Sequence, residues 1–389
     1  MAKISVIGTG FIARGFIDLL LDHPTHTIGK ILTRTDAKNR PDLAKYVDYI
    51  TNDIDEVIAN SELIVESSGD AIYACDTINK IVTTSSIPVV TMNSEFHITV
   101  GSYFKDKGFI TEAEGDQPGC LAALHEEAVA MGFRPVVYGN IKGFLNENPS
   151  KEDMEYWGKK AGISLDMVTS FTDGTKVQIE QTLVANGFGA TIAKDGLLGS
   201  KIDELKEGGD ALGKEATKAG APISDYLLSG KLNPGVFITS EHNSNQIDHL
   251  RYYKLGNGPY YTLEKPFHIC HMEIFKTIDR VLRGGGVLLD NGELPTISTC
   301  TIAKRDLNPG DTIKKGIGSF DVRGIAVKIK ENENHVPVGL MANVTIKKPV
   351  KEGEMLTFDD IEIPDTLALK AWKEIEKKVL GKWISLEQK

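Results

Sequence analysis

The sequence has little cysteine. Its four cysteines, Cys75, Cys120, Cys270 and Cys300, are scattered, and no two stand in a C-x-x-C spacing. That spacing gives no sign of a disulfide framework or a zinc ribbon. Reduced, mostly packed thiols in a cytoplasmic protein are expected instead. Positive charge is also short. Lys and Arg number 44 against 54 Asp and Glu, for a formal net charge of −10. A nucleic-acid surface is therefore not expected, and nothing suggests a membrane-binding one. Long hydrophobic runs are missing too, so no bilayer span is expected. The first apolar run, Ile4 to Ile7, reads as a strand and not as the core of a signal peptide. With 389 residues, the chain has room for two or three domains.

What is present begins at that strand. Ile4-Ser5-Val6-Ile7 runs into Gly8-Thr9-Gly10-Phe11-Ile12-Ala13, and Phe11 to Leu21 reads as an amphipathic helix. Gly8 can take the turn conformation. Gly10 lets a pyrophosphate approach the backbone, and the free N–H groups of Phe11, Ile12 and Ala13 then face the anion. Ala13 takes the third glycine position of the dinucleotide fingerprint, where a small residue packs helix on strand. Further on, the strand Ile28 to Leu32 ends in Thr33-Arg34-Thr35-Asp36. An acidic residue at this place would accept hydrogen bonds from ribose hydroxyls. Arg34 between Thr33 and Thr35 suits a 2′-phosphate instead, which favours NADP(H) over NAD.

Strand and helix patterns then alternate. Leu63 to Val65, Pro88 to Met92 and Phe109 to Thr111 read as buried strands, with helices over Asp70 to Thr83 and Val100 to Lys107. The expected fold class is α/β, a Rossmann doubly wound parallel sheet. Ser68, Gly69 and Asn93 lie past strand ends, where they should line the nicotinamide side of the crevice. Gly115 to Gly119 reads as a turn, Leu121 to Met131 as a helix and Pro135 to Tyr138 as a strand. The expected domains are residues 1–146 for the dinucleotide, 147–295 as an α+β substrate and oligomerisation domain, and 296–389 as a small β domain closed by a helix. In the middle domain, Lys201 to Lys218 reads as a charged helix interrupted by Gly208-Gly209. It suits either a mobile cover or a solvated face. In the last domain, Ala303 to Ile313 and Ile346 to Leu356 echo each other, which predicts internal pseudo-symmetry. Leu369, Trp372, Ile375 and Val379 recur at helical spacing as a packing face.

Two stretches could carry chemistry. In Asp173-Gly174-Thr175-Lys176, with Glu180 one helical turn on, Lys176 and Glu180 share a face of a partly buried helix. A desolvated lysine can protonate or stabilise an alkoxide formed by hydride transfer. The same spacing also makes an ordinary surface ion pair, and the residues alone leave both readings open. In the second stretch, Arg251 to Glu273, Gly256-Asn257-Gly258 reads as a turn between aromatic strands. Lys254, Tyr260 and His268 there, with Lys142 upstream, are candidate substrate ligands. His268, Cys270, His271 and Glu273 match no standard zinc spacing, so no metal ligands are assigned.

Together these stretches resemble homoserine-dehydrogenase-like oxidoreductases with a C-terminal SAF domain. The matching motifs are Gly8 to Ala13, Thr111 to Gly119, Gly139 to Gly143, Asp173 to Lys176 with Glu180, and Lys254 to Tyr260. The group includes a 1-deoxy-D-xylulose 5-phosphate reductoisomerase-like subgroup, which reduces a rearranged sugar phosphate with NADPH. The resemblance implies that Lys176 sits beside the substrate hydroxyl. It further implies a β-clip fold for the last domain and a homo-oligomer, dimer or tetramer. A divalent cation is implied only if the reaction includes a rearrangement. Homoserine dehydrogenases usually carry Thr-Asn-Lys where this chain has Met92-Asn93-Ser94, which argues against homoserine itself. The expected function is NADP-dependent hydride transfer to or from a small hydroxylated carbonyl or alcohol, such as a sugar phosphate. The alternatives are homoserine dehydrogenase, with Lys142 replacing the missing lysine, and a non-catalytic cofactor-binding sensor.

Overall fold

The computed structural model describes residues 1–36 and 40–387, with side chains to 381. Its first sheet forms because several short runs are apolar on both faces. Such runs can only be interior strands with helices on either side. The strands are β1 (Ala2–Ile7), β2 (His26–Leu32), β3 (Ile50–Thr51), β4 (Leu63–Glu66), β5 (Val89–Thr91) and β6 (Ile110–Glu112). All pair in parallel, in the order 3-2-1-4-5-6. The order reverses between β1 and β4, which opens a crevice past their carboxyl ends.

Five helices connect or follow these strands: α1 (Phe11–Leu21), α2 (Ile54–Ala59), α3 (Ala71–Thr84), α4 (Ser94–Val100) and α5 (Gln117–Ala130). Strand alternation sends neighbouring side chains to opposite faces. Ile7 and Ile64 pack with α3 and α4, whereas Val6 and Val65 pack with α1. Two boundaries differ from the sequence reading. The helix expected at Val100 to Lys107 begins earlier, at Ser94, because Asn93 Oδ1 accepts from Phe96 N and caps it. The turn expected at Gly115 to Gly119 is already helical from Gln117, capped by Asp116 with Pro118 in the first turn.

The second sheet is mixed. It holds β7 (Arg134–Lys142), β8 (Ser200–Lys201), β9 (Ile223–Leu228), β10 (Val236–Glu241) and β11 (Tyr261–Lys265), ordered 11-10-7-9-8. Here β7 continues through Gly139 to Lys142, beyond the end expected at Tyr138. The helices of this region are α6 (Lys151–Ala161), α7 (Leu165–Thr172), α8 (Thr175–Phe188), α9 (Leu205–Ala219), α10 (Ile247–Tyr252) and α11 (Ile274–Leu282). Helix α9 runs through Gly208-Gly209 without a break and lies flat on the sheet. A Cβ on Gly209 would meet Thr262 Oγ1 at 2.3 Å and Thr239 Oγ1 at 2.6 Å. The two glycines are thus a packing surface and not a hinge. Arg251 and Tyr252 end helix α10, so Gly256 to Gly258 does not join two strands. Helix α11 returns to the first sheet, with Ile274 and Ile278 in the core beside α1.

The remaining strands are β12 (Ile297–Ala303), β13 (Thr312–Ile313), β14 (Val322–Lys328), β15 (Val344–Ile346) and β16 (Ile361–Glu362). They form a β12–β14 ribbon and a β13–β15–β16 sheet. The two echoing segments pair with each other about a local pseudo-twofold. Leu307 and Val350 exchange backbone bonds of 2.8 and 3.1 Å. Gly310 N donates to Ile346 O, and Gly353 N donates to Ala303 O, both at 2.9 Å. Each glycine has positive φ, +94° and +83°. The closing helix, α12 (Leu367–Glu387), does not pack chiefly on this β region. Trp372, Ile375 and Val379 join the core of the first sheet beside α3.

Candidate functional site

At the β1–α1 turn, Gly8 has φ +111°, and an added Cβ would lie 2.6 Å from Ser67 O. Only glycine fits that place. Gly10 begins α1 with no side-chain cap, and nothing lies within 4 Å of where its Cβ would be. The first N–H groups of α1, on Phe11, Ile12 and Ala13, have no intrahelical acceptor and no side-chain cap. Phe11 is exposed and Ala13 is buried against the sheet. Across the crevice stand Ser68, Gly69 and Asn93, with Asn93 Nδ2 3.5 Å from Ser68 Oγ. Behind them Glu66 is fully buried and accepts from Ser68 N at 2.8 Å and from Thr91 Oγ1 at 3.1 Å. At the end of β2, Arg34 pairs with Asp70 at 2.8 Å and stacks over Tyr73, 4.6 Å from the ring centre. Thr33 Oγ1 and Thr35 Oγ1 are 3.3 Å apart beside it. Arg40, which the sequence reading passed over, reaches Thr9 O at 3.5 Å.

A second group of residues converges past the carboxyl ends of β5 and β6. Helix α8 is buried on nearly every face, so Lys176 in its first turn is largely withdrawn from water, its side chain 12% exposed. Its Nζ lies 3.1 Å from Glu95 Oε1 and 3.3 Å from Asp116 Oδ2. Burial alone would strip its proton. The charges of Asp116, Glu95, Glu180 and Glu112 overrule that and hold its proton affinity well above the ordinary lysine range. Asp116 answers in kind: burial pushes it up, but Lys176 and the Ser94 hydroxyl, 2.7 Å away, bring it below the usual carboxylate value.

Glu180 does not pair with Lys176, although the two share a helix face. Its Oε2 accepts from Lys142 Nζ at 3.0 Å and Asn140 Nδ2 at 2.9 Å. Burial, opposed by Lys142, raises its proton affinity. Gln117 Oε1 takes a bond from Lys142 Nζ and another from Asn140 Nδ2, the latter at 2.6 Å. A lysine can only donate, so it fixes which way both amides face. Asn140 Oδ1 and Gln117 Nε2 are then left buried without a partner. One is an acceptor and one a donor, the set a hydroxyl needs. A cleft of about 460 Å³ lies just past the carboxyl ends of β7 and β9, lined by Gly143, Phe144, Lys201, Asp203 and Ser229 but not by Lys142 itself.

The loop after β11 completes the site. His268 is held below the usual imidazole range, first by burial and then by the charge of Lys142, while Asp116 opposes the shift. Cys270 follows with φ +42°, and Gly115 lies so close that a Cβ there would meet Cys270 O at 2.1 Å. Burial first, then Asp116, pushes the Cys270 thiol up to about 12, which keeps it protonated. The loop is pinned at its root, where Lys265 Nζ lies 2.9 Å from Glu114 and 2.6 Å from Glu273.

Three expected site residues stand apart from this cluster. Asp173 accepts from Thr175 N at 2.9 Å and pairs with Lys304 of the β12 end at 3.1 Å, so it anchors α8 and does not face Lys176. Tyr260 is buried against α9, its hydroxyl 2.6 Å from Thr217 Oγ1. Lys254 is exposed at a left-handed turn. The sequence reading missed Glu95, Asp116, Gln117 and Asn140 as site residues; Ser94 it placed only in the turn lining the nicotinamide side. Their signal was position: each directly follows a short apolar strand or lies near its end. Among the described residues no group of three His, Cys, Asp or Glu side chains is disposed to hold a metal ion. Nor is any helix among them long and apolar enough to cross a membrane.

Solved structures that align with the chain include a probable dehydrogenase from Thermotoga maritima. It is 12% identical, with 74% of this chain and 91% of that chain covered and a TM-score of 0.42. A putative myo-inositol dehydrogenase from Sinorhizobium meliloti 1021 is 10% identical, with 75% and 92% covered and a TM-score of 0.40. No curated protein sequence matches significantly. Residues 115–274 match the family model described as oxidoreductase DRL, catalytic domain. That stretch holds Asp116, Gln117, Asn140, Lys142, Lys176, Glu180, His268 and Cys270. With this match the chain is an oxidoreductase.

Proposed function

We propose that the chain binds NADP(H) across the carboxyl ends of the first sheet. It moves a hydride between nicotinamide C4 and a carbon of a small hydroxylated carbonyl or alcohol. Lys176 stabilises or protonates the substrate oxygen. The observation that carries this reading is the buried ammonium of Lys176, kept charged between Glu95 and Asp116 in a stretch that matches an oxidoreductase catalytic domain. The open helix start at Gly10 supports the dinucleotide. Arg34, with Thr33 and Thr35, supports the choice of NADP(H), although its guanidinium must exchange Asp70 for a 2′-phosphate.

When bound, the nicotinamide supplies or takes the hydride; the chain's own groups do the rest. Asn140 Oδ1 and Gln117 Nε2, each unpartnered, support a hydroxylated substrate. Lys142 and His268 would hold its polar end, which a phosphate group suits. No step is assigned to a divalent cation. The placement among homoserine-dehydrogenase-like, SAF-bearing enzymes and the sugar-phosphate preference belong to the same proposal. So does a homo-oligomeric working unit.

The test is NADPH absorbance over a panel of small hydroxyaldehydes, ketoses and their phosphates, and homoserine with NADP, with and without added Mg2+. Turnover of a hydroxylated carbonyl, lost in Lys176→Met while NADPH affinity stays, is the expected result. Tight NADPH binding with no oxidation across the panel would replace this reading with a cofactor sensor.

A further inference from the structure

The hydrogen-bonded cluster around Lys176 does not end at Asp116. Ser94 Oγ donates to Asp116 Oδ2 at 2.7 Å and lies 3.4 Å from Glu112 Oε1. The other oxygen of Glu112, Oε2, stands 3.4 Å from His97 Nε2. Three elements bring these groups into one line: the end of β6 (Glu112), the start of α4 (Ser94 and His97) and the cap of α5 (Asp116). Ser94, Glu112 and His97 are essentially out of contact with solvent, at 0%, 0% and 1% exposure. Beyond His97 the line approaches the surface. His97 Nδ1 faces Gly101, where an added Cβ would lie 3.1 Å from it and 3.6 Å from Asn291 Cβ, and the neighbouring Asp290 pairs with partly exposed Lys105.

Two features of this line are costly if it serves packing alone. Glu112 Oε2 and both ring nitrogens of His97 are buried without a hydrogen-bond partner, and each such group forfeits hydration. An apolar pair would fill the same space without that penalty. Every member can also both accept and release a proton, the Ser94 hydroxyl by rotation. The resting charges fit. Burial first, then Asp116, raises Glu112 well above the carboxylate range, while burial brings His97 down to about 4. Both shifts run towards the uncharged form of each group.

We infer that Ser94, Glu112 and His97 form a proton path linking the Lys176–Asp116 pair to solvent at Lys105–Asp290. It rests on the proposed role of Lys176. In the reduction direction, hydride from NADPH reaches the carbonyl carbon and leaves NADP+. The alkoxide oxygen takes a proton from the Lys176 ammonium. Asp116 passes the replacement proton, received from Ser94 as Ser94 takes one from Glu112. His97 then returns a proton from solvent to Glu112, so one hydride and one solvent proton enter per turnover.

The experiment uses the full chain, NADPH and whichever panel carbonyl is turned over. Glu112→Gln keeps the shape and the hydrogen bond to Ser94 but cannot pass a proton. It should lower kcat about tenfold or more, since a general acid–base group contributes ~10²–10⁴-fold, with substrate KM unchanged. The solvent deuterium isotope effect on kcat should rise, and turnover should climb with imidazole buffer concentration. His97→Asn should behave alike. Ser94→Ala, a minimal truncation, cuts the same path if either buried variant fails to fold. A loss of thermal stability with an unchanged isotope effect and no buffer dependence would overturn the path and leave a structural role. If Lys176→Met is inactive while Glu112→Gln and Ser94→Ala match the wild type in rate and isotope effect, only the path falls. If Lys176→Met turns over normally, or no panel member reacts, the proposed function falls and the path with it.

Discussion

Replacing Lys176 with methionine keeps most of the side-chain volume and removes one charge. Two effects follow, and they separate experimentally. The first is on chemistry. A preorganised donor aimed at developing negative charge is worth ~10²–10³ in kcat, so turnover should fall by at least about a hundredfold. NADPH affinity should stay within about twofold, because the Gly8–Gly10 turn does not touch Lys176. The second effect is on stability. Glu95 and Asp116 lose their shared cation while staying buried, and breaking a buried pair costs about 3–5 kcal/mol.

That cost depends on pH, with a definite sign. In the wild type, Asp116 lies below its ordinary value, so its contribution is present above the unfolded pKa and is lost as pH falls through the lower folded value. In the variant, burial is no longer opposed by Lys176, and Asp116 rises above its unfolded value. The folded state then binds more protons than the unfolded one, and stability is lost as pH rises through the new folded value. Thermal melts of both proteins between pH 5 and pH 8 should therefore diverge as pH increases. Parallel melting curves across that window, or a variant with near wild-type turnover, would refute the account of Lys176 as a buried, carboxylate-held ammonium.

The Asp173–Lys304 pair gives a double-mutant test. Asp173→Asn keeps the cap on Thr175 N but strands a buried ammonium, at about 3–5 kcal/mol in denaturant unfolding, and adding Lys304→Met should return most of it. On α9, Gly209→Ala should destabilise by about 1–3 kcal/mol by overpacking against Thr262 and Thr239, measured by urea melts. At the end of β2, Arg34→Asp should move cofactor preference from NADPH towards NADH by about tenfold or more, since hydrogen bonds to charged groups contribute ~1.5–3 kcal/mol. Unchanged relative Kd values would show that Arg34 serves only Asp70 and Tyr73.

The first sheet was legible because its signals are local. A glycine turn needs positive φ at Gly8, and interior parallel strands must be apolar on both faces. The pseudo-symmetric β region was legible for a similar reason, since equivalent turns need equivalent residues at Gly310 and Gly353. The sequence also singled out Lys176 and Glu180, because a lysine and a carboxylate share one face of a partly buried helix, a spacing it left open to either chemistry or an ordinary ion pair. It could not say with whom they pair. Helical spacing puts them on one face, yet Glu180 binds Lys142 and Asn140 of β7, while Lys176 reaches Glu95 and Asp116 past β5 and β6. Those partners lie 38 to 81 residues away in the chain. Long-range pairing is settled by how sheets and helices stack, which leaves no local pattern to read. The same holds for Asp173, two residues from Thr175 but bound to Lys304, and for Gly208-Gly209, read as an interruption until the sheet beneath α9 appeared. Local conformation and burial pattern were therefore set along the chain, whereas the electrostatic identity of the site was decided only where distant strand ends met.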